Sequence, residues 1–479
     1  MDWKFLDTLK SIAAAEKAHN FQTESYDVAA FELKFPKNVI TVAPAVGKAP
    51  TPLPGETRVT KLSDAIYTAF RRARNGGANG RIGCSIVLHE GIYVDALETA
   101  RKFPKGFSME IVGVKNVRLI YETLIQFHIK SLTLILSNVF IFDCRLNRHY
   151  STISLTEGAC VQFMHVNVHS PRADAMWVVS SKLTLVRTAI TECNVAICSD
   201  KSDLRLTDCV IDNLSSTCVS LGIFDSKLEA KKVLCSSRFE GSVAFARSKG
   251  TIEDSQFRAT RDRLASCVEI TRGSHLFVRT STFTDFPMPF YCSDSDSRFI
   301  MDNCTVSSFA AVPGRSSFAF TVRLNAHVIV KNCRLLCDFV AAVNANPKGK
   351  IQFRNNRMIG AAAPRILKDS MSPIPDHDFA NLVTHVNNFI PDQPTDRERS
   401  AKSKLAQAEV SASEARGDSF SSICCDLKCC NQCQRLEDPA EGKFKYCKLC
   451  RKVCYCSKDC QDADWGDHKI ECRSLRQAR

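Results

Sequence analysis

Eight side chains near the C-terminus carry metal-site spacing: Cys430 and Cys433, Cys447 and Cys450, Cys456 and Cys460, then His468 and Cys472. Zinc takes four thiolate or imidazole ligands in a tetrahedron, and two cysteines separated by two residues can both reach one ion from a tight knuckle. In the last two pairs the members are four positions apart, which puts both on one face of a short helix. Eight ligands close two sites and leave no coordination position for water, so the expected zinc holds the fold and performs no reaction. Cys424, Cys425, Cys429 and Cys454 lie in the same stretch. Cys454 is the strongest competitor for a ligand position, since on a short strand it shares a face with Cys456. Only Cys456, however, stands four residues before Cys460.

The run Tyr455-Cys456-Ser457-Lys458-Asp459-Cys460-Gln461, followed by Trp465, His468-Lys469 and Cys472, resembles the C-terminal half of the MYND zinc finger. The resemblance covers about residues 425–472 and departs from the family in a first loop of thirteen residues, which is long. It implies a cross-braced pair of sites, with Cys430, Cys433, Cys456 and Cys460 on one zinc and Cys447, Cys450, His468 and Cys472 on the other. It also implies a protein-interaction module for short proline-containing peptides, with Gln461 and Trp465 as contact residues. Trp465 has a competing role as the hydrophobic centre of a domain too small to build another.

Most of the chain must then be something other than the finger. Residues 160–360 repeat one pattern nine times: an apolar pair two apart, then a small or apolar residue at +5 and an apolar one at +7. Leu183, Leu185, Thr188, Ile190 is one copy and Leu204, Leu206, Cys209, Ile211 the next. First positions fall at 161, 183, 204, 228, 252, 276, 299, 328 and 351. Alternation at period two means strands, and a repeat in the low twenties means a solenoid. The Leu and Asn ladders of a leucine-rich repeat are missing, so the expected fold is mainly β: a right-handed parallel β-helix. The wide interval before 328 implies an inserted loop near Pro313-Gly314-Arg315.

Ser63 can cap a helix over residues 64–74, stopped by Gly76-Gly77, and the strand Ile86-Val87-Leu88 follows. This opening resembles the first coil of pectate-lyase-like β-helix proteins, and a capping helix there protects the open end of the solenoid. A second helical cap is expected over residues 376–390. The expected organisation is 1–60, an amphipathic helix and a Pro-rich run; 61–390, the β-helix with its caps; 391–421, a charged flexible linker; and 422–475, the finger.

With 479 residues the chain can bury a large core. Eleven of its 24 cysteines follow residue 420, and the rest are scattered singly as small hydrophobes rather than a disulfide framework. The N-terminus shows no secretory apolar run, and no stretch is long enough to span a bilayer, so an intracellular protein (cytoplasmic, nuclear or both) without membrane attachment is expected. The formal charge of +13 falls to about +10 once seven thiolates hold two Zn²⁺. Direct nucleic-acid binding is disfavoured, because basic and aromatic residues do not interleave.

Carbohydrate chemistry on a β-helix needs carboxylates gathered on one face. Asp200, Asp203, Asp208 and Asp212, and Asp294 with Asp296, alternate with core positions or sit in turns, and His165, His169, His275 and His327 are isolated. The expectation is therefore no catalytic residue and no enzyme. The sequence reads as a zinc-binding scaffold for other proteins, the β-helix a rigid partner face and the finger a peptide-binding module. The alternatives are an enzyme acting on a carbohydrate polymer, or nucleic-acid binding, which predicts Lys and Arg aligned along one face of the rod.

Overall fold

The computed structural model describes most of residues 33–359, strands at Ile366–Leu367 and Val383–Val386, and in the finger residues 445–447, 454–455, 457–462, 465 and 469. The chain divides into two compact units, Met1–Thr395 and Asp396–Arg479.

The first unit is a parallel β-solenoid. From residue 176 to residue 359 each coil contributes three strands, as in Met176–Val179, Lys182–Val186 and Ala189–Thr191, while in the preceding coils the last two merge into one, as in Cys160–His169. Like strands of successive coils pair in parallel, giving three long faces, here called I, II and III in that order. Inward positions alternate with outward ones, so one apolar column per strand position runs through the core: Val161, Leu183, Leu204 and Leu228 on face II are all buried and in register.

One register differs from the sequence reading. The partner of Leu228 and Leu276 is Gly250, while Ile252 aligns with Ala230 and Val278. An apolar pattern skips a glycine and selects Ile252 instead. The missing side chain is supplied from face I: a Cβ at Gly250 would lie 2.7 Å from the Phe245 ring.

Two of the three corners are tight. Between faces II and III a single residue turns the chain with positive φ, as at Arg187, Asp208, Asp254, Asn303, Asn332 and Asn355. Asn and Asp tolerate this region better than other side chains. The residue after it points inward and bonds along the rod. Val233 N donates to Ser255 Oγ at 3.0 Å, Ser255 N to Ser281 Oγ at 3.1 Å, and Cys333 N to Asn356 Oδ1 at 2.8 Å. The I–II corner repeats the device with Ser181, Ser202, Ser226, Ser248 and Ser274. Buried backbone N–H groups at sharp corners need partners, and these ladders provide them.

The helix Leu62–Asn75 is present and begins two residues before the sequence reading placed it, with its first turn bonded to the carbonyl of Lys61. Strands Val39–Val42 and Thr57–Val59 pair with each other at the same end, and Val39–Val42 also pairs with Cys84–Leu88. The rod therefore draws on residues that the sequence reading gave to an N-terminal segment. Val383–Val386 is a strand added beside Lys350–Arg354, not part of a second capping helix. The helix expected near residues 5–13, the loop around 313–315 and the linker 391–421 lie outside the described residues. Among the described residues no helix is long and apolar enough to cross a membrane.

Candidate functional site

In the finger, Lys445–Tyr446 and Cys454–Tyr455 form an antiparallel pair, with Lys445 opposite Tyr455 and Tyr446 opposite Cys454. This register sends the chain after Tyr446, toward Cys447 and Cys450, out at one end of the hairpin. The chain after Tyr455 leaves from the other. Cys447 is 1% exposed and Tyr455 2%, so a hairpin this short still has a dry centre. Ser457 caps the helix that follows: its Oγ accepts the Cys460 N–H at 3.1 Å, and its carbonyl accepts Gln461 N–H at 3.3 Å. Lys458 and Asp462 pair across one turn at 3.7 Å.

The cap fixes Cys460 in the first turn, half-buried, with Gln461 beside it and Trp465, also half-buried, farther on. A buried thiol at a hairpin end and a half-buried thiol in a capped helix are the donors a zinc knuckle and its helical counterpart require. Cys430, Cys433, Cys450, Cys456, His468 and Cys472 lie outside the described residues, and among those described no three metal-binding side chains gather. The cysteines of the rod are of another kind. Burial pushes the Cys209 thiol up to about 11 and the Cys235 thiol up to about 12, so both stay protonated and apolar.

The carboxylates singled out from the sequence are distributed around the rod. Asp200 faces outward on face I, Asp203 on face II and Asp212 on face III, while Asp208 forms a corner and pairs with Lys232 at 3.9 Å. Asp294 accepts the Arg272 N–H in a turn. His169 is buried, bonded to Thr191 at 3.0 Å and stacked on Phe142, and His165 occupies a corner.

Face II carries an arrangement that sequence reading did not assemble. Its first outward position reads Lys227, Lys249, His275, Arg298, His327 and Lys350 on six successive coils, in register. Lys227 is neutralised by Glu229 at 2.5 Å. Among the described residues the other five have no ion-pair partner. Four residues along the same strands the charges are paired across coils: Arg279 with Glu253 at 3.0 Å and Lys331 with Asp302 at 2.9 Å. Between the two columns lie Phe277, Ile300 and Ile329, half-buried. Burial, then the neighbouring Arg298 and Lys350, hold His327 below the usual histidine range.

Residues 430–472 match the family model of the MYND finger, so the chain joins a parallel β-solenoid to a MYND finger. Two curated proteins share this segment: SET domain-containing protein 14 of Caenorhabditis elegans, 49% identical over 47 residues, and SET domain and MYND-type zinc finger protein 6 of Schizosaccharomyces pombe, 46% identical over 37 residues. The matches span 10% and 8% of this chain and the same shares of those proteins. The match supports a zinc-dependent protein-interaction module at residues 430–472.

The solenoid is similar to the catalytic domain of GH87 alpha-1,3-glucanase in complex with nigerose, at 13% identity and TM-score 0.46, over 76% of this chain and 66% of that one. It is also similar to DFA-IIIase from Arthrobacter chlorophenolicus A6, at 12% identity and TM-score 0.43, over 72% of this chain and 97% of that one. At these identities the likeness concerns the fold. It corrects the expectation that the chain is not an enzyme: the solved structures that its solenoid resembles are those of carbohydrate enzymes.

Proposed function

We propose that this protein is a scaffold that joins two partners. The finger (residues 422–475) binds a short proline-containing peptide, and the β-helix presents a long rigid face to a second protein. The observation that carries this reading is the finger itself: a family match over 430–472 whose described residues include a hairpin with a dry centre and a capped helix. Two zinc ions hold it, Cys430, Cys433, Cys456 and Cys460 on one and Cys447, Cys450, His468 and Cys472 on the other. The hairpin register supports this division, since the segments bearing Cys447 and Cys456 leave it at opposite ends. The metal supplies folding free energy, because ligands closing both tetrahedra leave no open position.

Gln461 and Trp465 follow Cys460 and form the peptide-contacting surface. Peptide-array binding with the parent and with Gln461→Ala and Trp465→Ala tests this. Selective loss of proline-containing peptides, with zinc content retained, supports it, and unchanged binding sinks it.

A carbohydrate-directed activity of the rod is the second reading, favoured by one feature of face I. Trp177 (42% exposed) and Phe224 (37%) stand outward around Cys198 and Gly222. Burial, and then the carboxylates of Asp174 and Asp200, push the Cys198 thiol up, and burial raises Asp174. Assay of glucan and fructan hydrolysis with Asp174→Asn and Asp200→Asn decides it: activity abolished by either change establishes the reading, and no turnover by the parent removes it.

A further inference from the structure

Five consecutive coils place Lys249, His275, Arg298, His327 and Lys350 at one outward position of face II. We propose that this column, with the apolar strip Phe277, Ile300 and Ile329 beside it, docks an extended acidic peptide whose carboxylates recur at every third residue. The inference rests on the reading of the rod as a partner-binding face and names the chemistry of that partner.

Fixed cations that recur along one column of a sheet face repel one another unless acids lie between them. The neighbouring column shows how this rod resolves the problem, with acid and base in alternate coils, Glu253 to Arg279 and Asp302 to Lys331. The first column lacks that remedy among the described residues. Cations left without acids between them on an otherwise well-paired face mark a place where function sets the residue types.

The spacing selects the ligand. Lys249, Arg298 and Lys350 lie on alternate coils, ~9.6 Å apart at two strand spacings. His327, between two of these cations and shielded from water, is neutral at pH 7 and leaves that spacing unchanged. A polyproline II chain advances ~3.1 Å per residue with three residues per turn, so every third side chain recurs on one side at ~9.3 Å. Acidic residues at that interval meet each fixed cation in turn.

The residues between them then turn toward Phe277, Ile300 and Ile329. A shallow depression of about 320 Å³, lined by Lys249, His275, Phe277, Arg298 and Ile300 among others, receives an apolar side chain at the centre of the column. A single-stranded polynucleotide also presents a row of anions, but its bases require aromatic platforms. This strip is one phenylalanine and two isoleucines, which favours the peptide.

Fluorescence anisotropy of a labelled Glu-Pro-Pro repeat peptide against the full-length protein tests the proposal. The parent binds it more tightly than a Gln-Pro-Pro or a Glu-Pro repeat of equal length, and binding weakens as salt rises. Lys249→Glu with Arg298→Glu and Lys350→Glu lowers affinity roughly tenfold or more. The same reversal at Arg187, Lys201 and Lys231, which are exposed and outside the column, does not. Unchanged thermal unfolding of both triple variants shows that the rod is intact. Cys447→Ser leaves this binding untouched, so failure here and failure of the finger are distinguishable. Equal affinity of parent and column variant overturns the proposal, as does equal affinity for the Glu-Pro repeat. Tighter binding of oligo(dT), lost in the same variant, overturns it in favour of a polynucleotide surface.

Discussion

Ser226 donates its backbone N–H to Ser248 Oγ at 3.0 Å, and Ser248 N–H reaches Ser274 Oγ at 3.1 Å. The Ser248 hydroxyl hydrogen is shared between the carbonyls of Ile223 and Ala246, so one side chain serves three backbone groups. Ser248→Ala strands the Ser226 N–H in a dry corner, at a cost of ~1–3 kcal/mol. Ser248→Cys costs less, because Cys304 and Cys333 accept N–H groups in the other corner. Thermal unfolding of the two variants ranks them. Equal stability of Ser248→Ala and the parent would show that the ladder is incidental.

Gly250 is required by its neighbour. Its Cβ would meet Phe245 at 2.7 Å and Leu276 at 3.2 Å, so Gly250→Ala overpacks the core and destabilises by ~1–3 kcal/mol. Shrinking the ring with Phe245→Leu in the same chain recovers most of that loss. A double-mutant cycle that shows simple additivity would contradict the contact.

His327 links stability to pH. Burial, with Arg298 and Lys350 nearby, lowers its folded value below 6.5, so the unfolded chain binds the proton more readily. Its contribution is fully present above 6.5 and is lost as pH falls through the lowered folded value. His327→Gln therefore flattens the decline in stability on the acidic side of 6.5. Arg298→Gln, which removes one cause, moves the NMR titration midpoint of His327 upward; an unmoved midpoint would refute the assignment.

Legibility followed what each feature leaves in the chain. The finger is a short, cysteine-rich segment whose motif is continuous in sequence, so its family was legible without coordinates. The rod's period was readable because inward Leu204, Leu228 and Leu276 recur as apolar pairs. At Gly250 the same method failed, because the space is filled by a side chain from another face. The serines of the corners look like ordinary turn residues until register stacks them. The cationic column was out of reach for a similar reason: its members are 23 to 29 residues apart and meet only through strand pairing. The strand at Val383–Val386 was mistaken for a helix because Phe379, Leu382, Val383 and Val386 also fit a helical stripe.

Elemental analysis of zinc in the reduced full-length protein tests the central claim most directly, with Cys447→Ser and Cys460→Ser alongside. Two zinc ions per chain in the parent, with fewer in each variant, are the predicted result. None or one in the parent, or two in both variants, would contradict the finger as the zinc-held module of this protein.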